Sequence, residues 1–298
     1  MGDNDRKLNV DIAGAIAKLD AMLKEFNLKQ DIFKIMFRGK GLEFDGYRDF
    51  SPDDDAQDID WKASSRGGRT IVKRYKEERD LKIMFLVDVG DNMVFGSTPK
   101  LKCEYSTELT AAFSHILVNT NDKIGFILFG DEIKEYSNFK SGFKHFNRFT
   151  DLMKDGTTYG GTSNINMAID YTMDYLDSSV MAVIVVSDFL SANEETSKRM
   201  NLLSNRFETI AIRIRDPLDL SLPDVDEEIL IEDIRTKEQV LINPRVAKAT
   251  YEKYTFQQGL LVENIFKRCD LDYLDLTTDK DFVVELAIFL KERLLKRQ

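Results

Sequence analysis

Ile83-Met84-Phe85-Leu86-Val87-Asp88-Val89-Gly90-Asp91-Asn92-Met93 is an apolar run that ends in an aspartate and opens into a loop of small and polar residues. A continuous apolar run of this length reads as a central parallel strand, buried on both faces. In open α/β sheets the loops at the carboxyl ends of the strands form the ligand crevice. The run therefore predicts the fold class, and it places Asp88 where a metal or charged ligand is met.

Downstream of residue 81 the pattern alternates between strand and helix. Strands are expected at 82–87, 124–129, 181–187, 208–214 and 271–276, with an edge piece at 132–136. Helical spacing joins Leu101, Tyr105, Leu109, Ala112, Phe113, Ile116 and Leu117, with Thr98-Pro99 as the expected N-cap and first-turn pair. Further helices are expected over 142–154, within 244–268 and over 280–296, and a small hairpin over 229–242. Such alternation implies a mostly parallel sheet flanked by helices. Upstream, Ile12, Ile16, Leu19, Leu23 and Phe26 mark an amphipathic helix over 10–26. Residues 36–80 are rich in Gly, Asp and Arg and too poor in apolar residues for a core of their own. The division is thus 1–80, an N-terminal helix and β-rich elaboration, and 81–298, the α/β domain.

Composition narrows the function classes. The 298 residues carry a net charge of −10, which argues against nucleic acid as a partner, because phosphate binding needs a positive field. The basic stretch from Arg66 to Arg79 is interrupted by Glu77 and Glu78 and reads as a solvated face. Cys103 and Cys269 stand far apart without CxxC spacing, so they read as small core residues in a reducing compartment. Neither His115 nor His145 accompanies a nucleophile motif. No stretch approaches the ~18 apolar residues of a membrane span. A soluble, cytoplasmic protein is expected.

Three segments bring oxygen atoms toward one sheet edge. They are Asp88 to Asn92, the loop Gly160-Gly161-Thr162-Ser163-Asn164, and Ser187-Asp188 at the end of a very apolar strand. Two carboxylates, a threonine hydroxyl and an asparagine carbonyl suit a hard divalent cation. The alternative is that Asp88 and Asp188 cap helix N-termini and bond loop amides. The spacing resembles the metal-ion-dependent adhesion site of von Willebrand factor A domains, whose pattern is Asp-x-Ser-x-Ser, then Thr, then Asp. Asp88, Thr162 and Asp188 match, whereas Gly90 and Asn92 stand at the two serine positions. The resemblance implies a von Willebrand factor A-like (Rossmann-like) fold. It also implies Mg²⁺ or Mn²⁺ held by Asp88, Asn92, Thr162 and Asp188, with Asp91 as an additional ligand or a partner contact.

Upstream, Arg48-Asp49-Phe50-Ser51-Pro52-Asp53-Asp54-Asp55 and Gln57-Asp58-Ile59-Asp60-Trp61 resemble the signature of the prokaryotic domain-of-unknown-function family fifty-eight. The usual pattern there is Arg-x-Tyr-x-Pro-Gly-Asp-Asp, then Arg-x-Ile-Asp-Trp. Phe50, Asp53 and Gln57 depart from it. Asp122-Lys123-Ile124-Gly125 and Asp216-Pro217 with Leu222-Pro223 match further segments. The resemblance extends from about residue 38 to the end. It implies a non-enzymatic adaptor or assembly module working with a MoxR-type AAA+ ATPase and its client. Trp61, the single tryptophan, is expected to bury its ring. The competing class is a metal-dependent hydrolase or phosphatase using Asp88, Asp91 and Asp188.

Overall fold

The computed structural model describes residues 7–26, 28, 42–51, 59–77, 81–232 and 239–296. The first helix, α1 (Ile12–Glu25), is capped by Asp11, whose carboxylate accepts from the Gly14 amide at 2.8 Å. The paired strands β1 (Leu42–Asp49) and β2 (Ile71–Glu77) run antiparallel and enclose a short helix, α2 (Trp61–Gly67). Then follow β3 (Lys82–Asp88), α3 (Lys102–Asn119), β4 (Lys123–Phe129), β5 (Ile133–Lys140), α4 (Phe143–Lys154) and α5 (Ile165–Tyr175). The remaining elements are β6 (Ala182–Ser187), α6 (Glu194–Arg206), β7 (Glu208–Arg215), the hairpin β8 (Ile229–Glu232) and β9 (Gln239–Ile242), α7 (Pro244–Arg268), β10 (Asp272–Thr277) and α8 (Phe282–Leu295).

Six strands form one sheet in the order β10-β7-β6-β3-β4-β5, parallel except for β5, which pairs antiparallel with β4 at one edge. The expected class, a mostly parallel sheet flanked by helices, is the one observed. Period-two alternation sends β3 side chains to two cores. Ile83, Phe85 and Val87 join the face covered by α1, α3 and α8, while Met84 and Leu86 join the face covered by α5, α6 and α7. On the first face Phe126 and Phe149 stack with ring centroids 4.7 Å apart. Helix α1 places Ala15, Leu19 and Leu23 in that same core, so it packs across the expected boundary at residue 80. Cys103 and Cys269 are buried and form no disulfide.

The topology positions the crevice. From β3 the chain moves to β4 on one side, and from β6 it moves to β7 on the other. The connections diverge between β3 and β6, so the carboxyl ends of these two neighbours flank a topological switch point. Asp88 ends β3, and Ser187-Asp188 ends β6.

Two local expectations are corrected. Helix α3 starts at Lys102, not at Pro99. Thr98 instead closes a turn by donating its hydroxyl to the Lys100 carbonyl at 2.8 Å, and the Glu104 carboxylate accepts from the Leu101 amide at 3.0 Å. Trp61 is 69% exposed. Asp60 caps α2 at the Lys62 and Ala63 amides, and Ser64 bonds Ile71 on β2. Ala63 and Ser64 are thus the half-buried positions of α2, and its first residue projects outward. The family-like segment Pro52 to Asp58 lies outside the described residues.

Candidate functional site

Asp88 is wholly buried and its carboxylate is fully engaged. Oδ1 accepts from the Gly90 amide at 2.9 Å, and Oδ2 accepts from the hydroxyls of Ser163 and Ser187, each at 2.7 Å. These donors come from the loops after β3, before α5 and at the end of β6. One carboxylate therefore ties three loops together. Burial and the nearby Asp188 charge push its pKa up to about 6, against the lowering effect of the three donors. Enclosed in this way, Asp88 presents no oxygen to an incoming substrate, so the nucleophile of the hydrolase alternative is absent from this position.

The loop before α5 closes tightly. The Asp91 amide donates to the Gly161 carbonyl at 2.8 Å and the Gly160 amide donates to the Val89 carbonyl at 2.9 Å. Gly161 has φ +79°, and a Cβ there would fall 2.1 Å from Asp131 Oδ1. Gly90, at the first serine position of the resembled pattern, is equally confined. A Cβ there would fall 2.6 Å from Asn92 Oδ1 and 3.0 Å from the Ser163 amide nitrogen.

Asp188 is held by a different set. It accepts from the Asn92 side-chain amide at 2.7 Å, the Leu190 amide at 3.0 Å and the Lys102 ammonium at 2.9 Å. Lys102 comes from the first position of α3, and its side chain is only 1% exposed. The same ammonium donates to Asp219 at 2.9 Å. Burial works against the charged amine, but Asp188 and Asp219 together hold its pKa above the ordinary lysine value. Asp219 is raised above the ordinary carboxylate range by burial, against the pull of Lys102.

Asp219 also accepts from the Asp216 amide at 2.8 Å. Asp216 accepts from Ser97, Leu218 and Thr278, which join the loops after β3, β7 and β10. Burial pushes the Asp216 carboxyl up, yet the Ser97 hydroxyl and amide, with Leu218 and Thr278, hold it below its ordinary value.

The sequence-predicted residues are therefore only partly assembled. Asp88, Asn92 and Asp188 meet in one network. Asp91 is half-buried at the crevice mouth and Thr162 is exposed, while the neighbouring Ser163 reaches Asp88. A carboxylate only accepts, so the nitrogen of the Asn92 amide faces Asp188. These residues do not fit a resident divalent cation. Gly90 has no ligand atom, Asp88 already accepts three hydrogen bonds, and an ammonium already stands against Asp188. A second cation there would face Lys102 in a water-poor setting. Among the described residues no group of three or more His, Cys, Asp or Glu is arranged to hold a metal.

Sequence reasoning placed the segments holding Ser163 and Ser187 at this edge but not their bonds to Asp88, and it missed Lys102 and Asp219. Lys102 carried no local signal, because a lysine at the start of a helix ordinarily reads as solvated.

The sequence matches the family described as "Protein of unknown function DUF58" over residues 46–259, more than half of the chain. The chain belongs to that family. The uncharacterized proteins Rv1480 of Mycobacterium tuberculosis (strain ATCC 25618 / H37Rv) and Mb1516 of Mycobacterium bovis are each 23% identical over 258 residues, covering 86% of this chain and 80% of theirs. Among solved structures, the conserved hypothetical protein BatB from Bacteroides thetaiotaomicron is similar at TM-score 0.47 and 14% identity, over 72% of this chain and 99% of that one. The SpRpn10 VWA domain is similar at TM-score 0.40 and 10% identity, over 71% and 94%. No helix among the described residues of this DUF58 protein is long and apolar enough to cross a membrane.

Proposed function

We propose that this DUF58 protein is a non-enzymatic protein-interaction module, von Willebrand factor A-like in its use of the carboxyl-edge crevice. Its partner is a MoxR-type AAA+ ATPase, with which it assembles or matures client proteins. The observation that carries the reading is a hydrogen-bonded acidic interior, centred on Asp88 and Asp188, beneath a mixed rim. Asp91, Thr162 and Asn164 supply polar groups at that rim, and Val94 (39% exposed) and Leu190 (45% exposed) supply apolar ones. Such a rim gains contact area and hydrogen bonds without first reorganising, which favours binding. Ser163 and Ser187 donate to Asp88, but all three side chains are buried beneath the loops, a placement that suits holding the loops together better than meeting a substrate.

In this reading Lys102 supplies the positive charge that a divalent cation gives an adhesion site. It offsets the charge shared by Asp188 and Asp219 and fixes the loops that carry them. Partner contact then depends on the rim and not on added metal.

The test is biolayer interferometry between the full chain and a purified MoxR-type AAA+ ATPase from the same genome, in EDTA and in Mg²⁺. Saturable binding is expected in both buffers. A double substitution that makes the rim basic, Asp91→Lys with Thr162→Lys, is expected to weaken it at least tenfold while the melting temperature holds. Absence of binding by the unmodified chain, or indifference to the basic rim, would overturn the proposal.

A further inference from the structure

Beside the Asp188 network, a cleft runs under α7 along the carboxyl ends of β7 and β10. It comprises two hollows of about 400 and 220 Å³ that share Arg213, Arg215, Thr255 and Gly259. The smaller one reaches Asp188 and Asp219, and the larger one reaches Asp275 and Glu263. Gly259 opens the roof, since a Cβ there would meet nothing within 4 Å.

The floor holds two guanidinium groups and one carboxylate. Arg213 and Arg215 are two apart on β7 and so share a face, and Asp275 lies opposite Arg213 on the parallel neighbour β10. Arg215 engages Asp275 with two nitrogens, at 3.0 and 2.7 Å, and Arg213 Nη2 reaches the same carboxylate. The Arg213 side chain is 6% exposed, yet its buried Nε has no hydrogen-bond partner among the described residues. Its Nη1 makes only a long 3.5 Å contact to the Gly259 carbonyl. A buried N–H without an acceptor is a costly exception in folded proteins. Asp275 is the carboxylate bonded to the two guanidinium groups, while Asp219 acts on Arg215 and Glu263 on Arg213 through space. Burial and the adjacent Arg213 push the Arg215 pKa below the ordinary value, against the pull of Asp275 and Asp219.

Glu252 and Glu263 also border the larger hollow, but each has its own partner. Ser221 donates to Glu252 at 2.6 Å and Lys267 pairs with Glu263 at 2.6 Å. Their charges would oppose a dianionic phosphate more strongly than a single carboxylate. The mouth carries Phe256, 66% exposed, and Leu260, 41% exposed.

We propose that this cleft is a carboxylate-recognition site for a protein partner. It receives a glutamate or aspartate side chain between Arg213 and Arg215, with an apolar neighbour of that residue lying on Phe256 and Leu260. The Arg215 fork is already closed on Asp275, so the incoming carboxylate meets the unpartnered Nε–H and the weakly engaged Nη1 of Arg213, in charge-assisted hydrogen bonds that Arg215 and Asp275 hold in place. The inference rests on the reading of the chain as an interaction module, and it adds a second contact beside the crevice rim.

The test uses the full chain and the peptide Ac-Leu-Glu-Leu-NH₂, with Ac-Leu-Gln-Leu-NH₂ and inorganic phosphate as comparison probes. The Arg213 Nε–H resonance is followed by ¹⁵N NMR. The glutamate peptide is expected to shift it saturably at millimolar concentration, and the glutamine peptide at least tenfold more weakly. Arg215→Gln should weaken glutamate-peptide binding at least tenfold. Gly259→Leu should do the same by filling the open space, without lowering the melting temperature, because leucine is the better helix former. Equal binding of the two peptides, no saturable shift, unchanged binding by Gly259→Leu, or tighter binding of phosphate than of the glutamate peptide would each overturn the proposal. Peptide binding without ATPase binding would sink only the ATPase reading. ATPase binding that Gly259→Leu leaves intact, with no peptide shift, would sink only the cleft.

Discussion

Replacing Lys102 by methionine keeps most of the side-chain volume and removes the charge. The ammonium lies 2.9 Å from Asp188 and from Asp219, and these side chains are 1% and 9% exposed. At an effective dielectric constant of about 20, each contact is a gross attraction of roughly 6 kcal/mol, largely offset by desolvation. Deleting one partner of a buried ionic group typically costs about 3–5 kcal/mol, because the remaining charges stay buried without compensation. For a chain of this size that is a fall in melting temperature of roughly 10 °C. The loss should depend on pH with a definite sign. Burial already raises the Asp219 carboxyl above its ordinary value, and without the opposing pull of Lys102 it rises further. That contribution to stability is present below the unfolded pKa and lost as pH rises through the raised folded one. The variant should therefore trail the unmodified protein more at pH 8 than at pH 5 in urea-unfolding experiments. Adding Asp188→Asn to Lys102→Met should recover part of the loss, since one stranded carboxylate is then gone. A loss below about 1 kcal/mol, the range of exposed pairs, would refute the assignment of Lys102 as a buried charged group.

Three further outcomes are expected. The Asp88 carboxyl, raised to about 6, contributes stability that is fully present below its unfolded pKa near 3.8 and is lost as pH rises through about 6. Over that window it amounts to roughly 3 kcal/mol, and Asp88→Asn should flatten this part of the stability–pH curve measured by urea unfolding. Restoring the resembled serine with Gly90→Ser should destabilise by about 1–3 kcal/mol, since its Cβ meets Asn92 Oδ1 at 2.6 Å, and calorimetric titration should detect no gain of Mg²⁺ affinity. Mg²⁺ and EDTA should leave the melting temperature of the unmodified protein unchanged within a degree, and a saturable rise with Mg²⁺ that Asp188→Asn abolishes would contradict the misfit of the crevice to a divalent cation.

The sheet was legible because its strands are buried on both faces. Runs such as Ile83 to Val87 and Ala182 to Val186 leave no polar position that would suit a surface helix, and flanking loops mark their ends. Asp88 and Asp188 were legible for the same reason, since a charge directly after such a run sits at the sheet edge. The start of α3 was not legible. Thr98-Pro99 has the local chemistry of a helix start, but Ser97 is drawn into bonding Asp216, which is 119 residues away, and the helix waits until Lys102. Trp61 failed for a related reason, because a seven-residue helix has room for only one inward turn, and Ala63 and Ser64 occupy it.

The site was half legible, and the missing half explains the altered motif. Local spacing presents Asp88, Thr162 and Asp188 as three members of a metal pattern, yet it carries no information about a lysine on another element. Once Lys102 reaches Asp188, the serine positions lose their reason to supply oxygen. Gly90 can then let the chain pass close to Ser163, and Asn92 can turn a donor toward Asp188. Ser163 and Ser187 serve Asp88 in place of a cation's water shell, and both are buried hydroxyls with an acceptor in reach. Gly90, Asn92 and Lys102 are therefore coupled positions. Changing Lys102 alone strands two carboxylates, and changing Gly90 alone crowds a loop, so substitutions at these positions are expected to be non-additive.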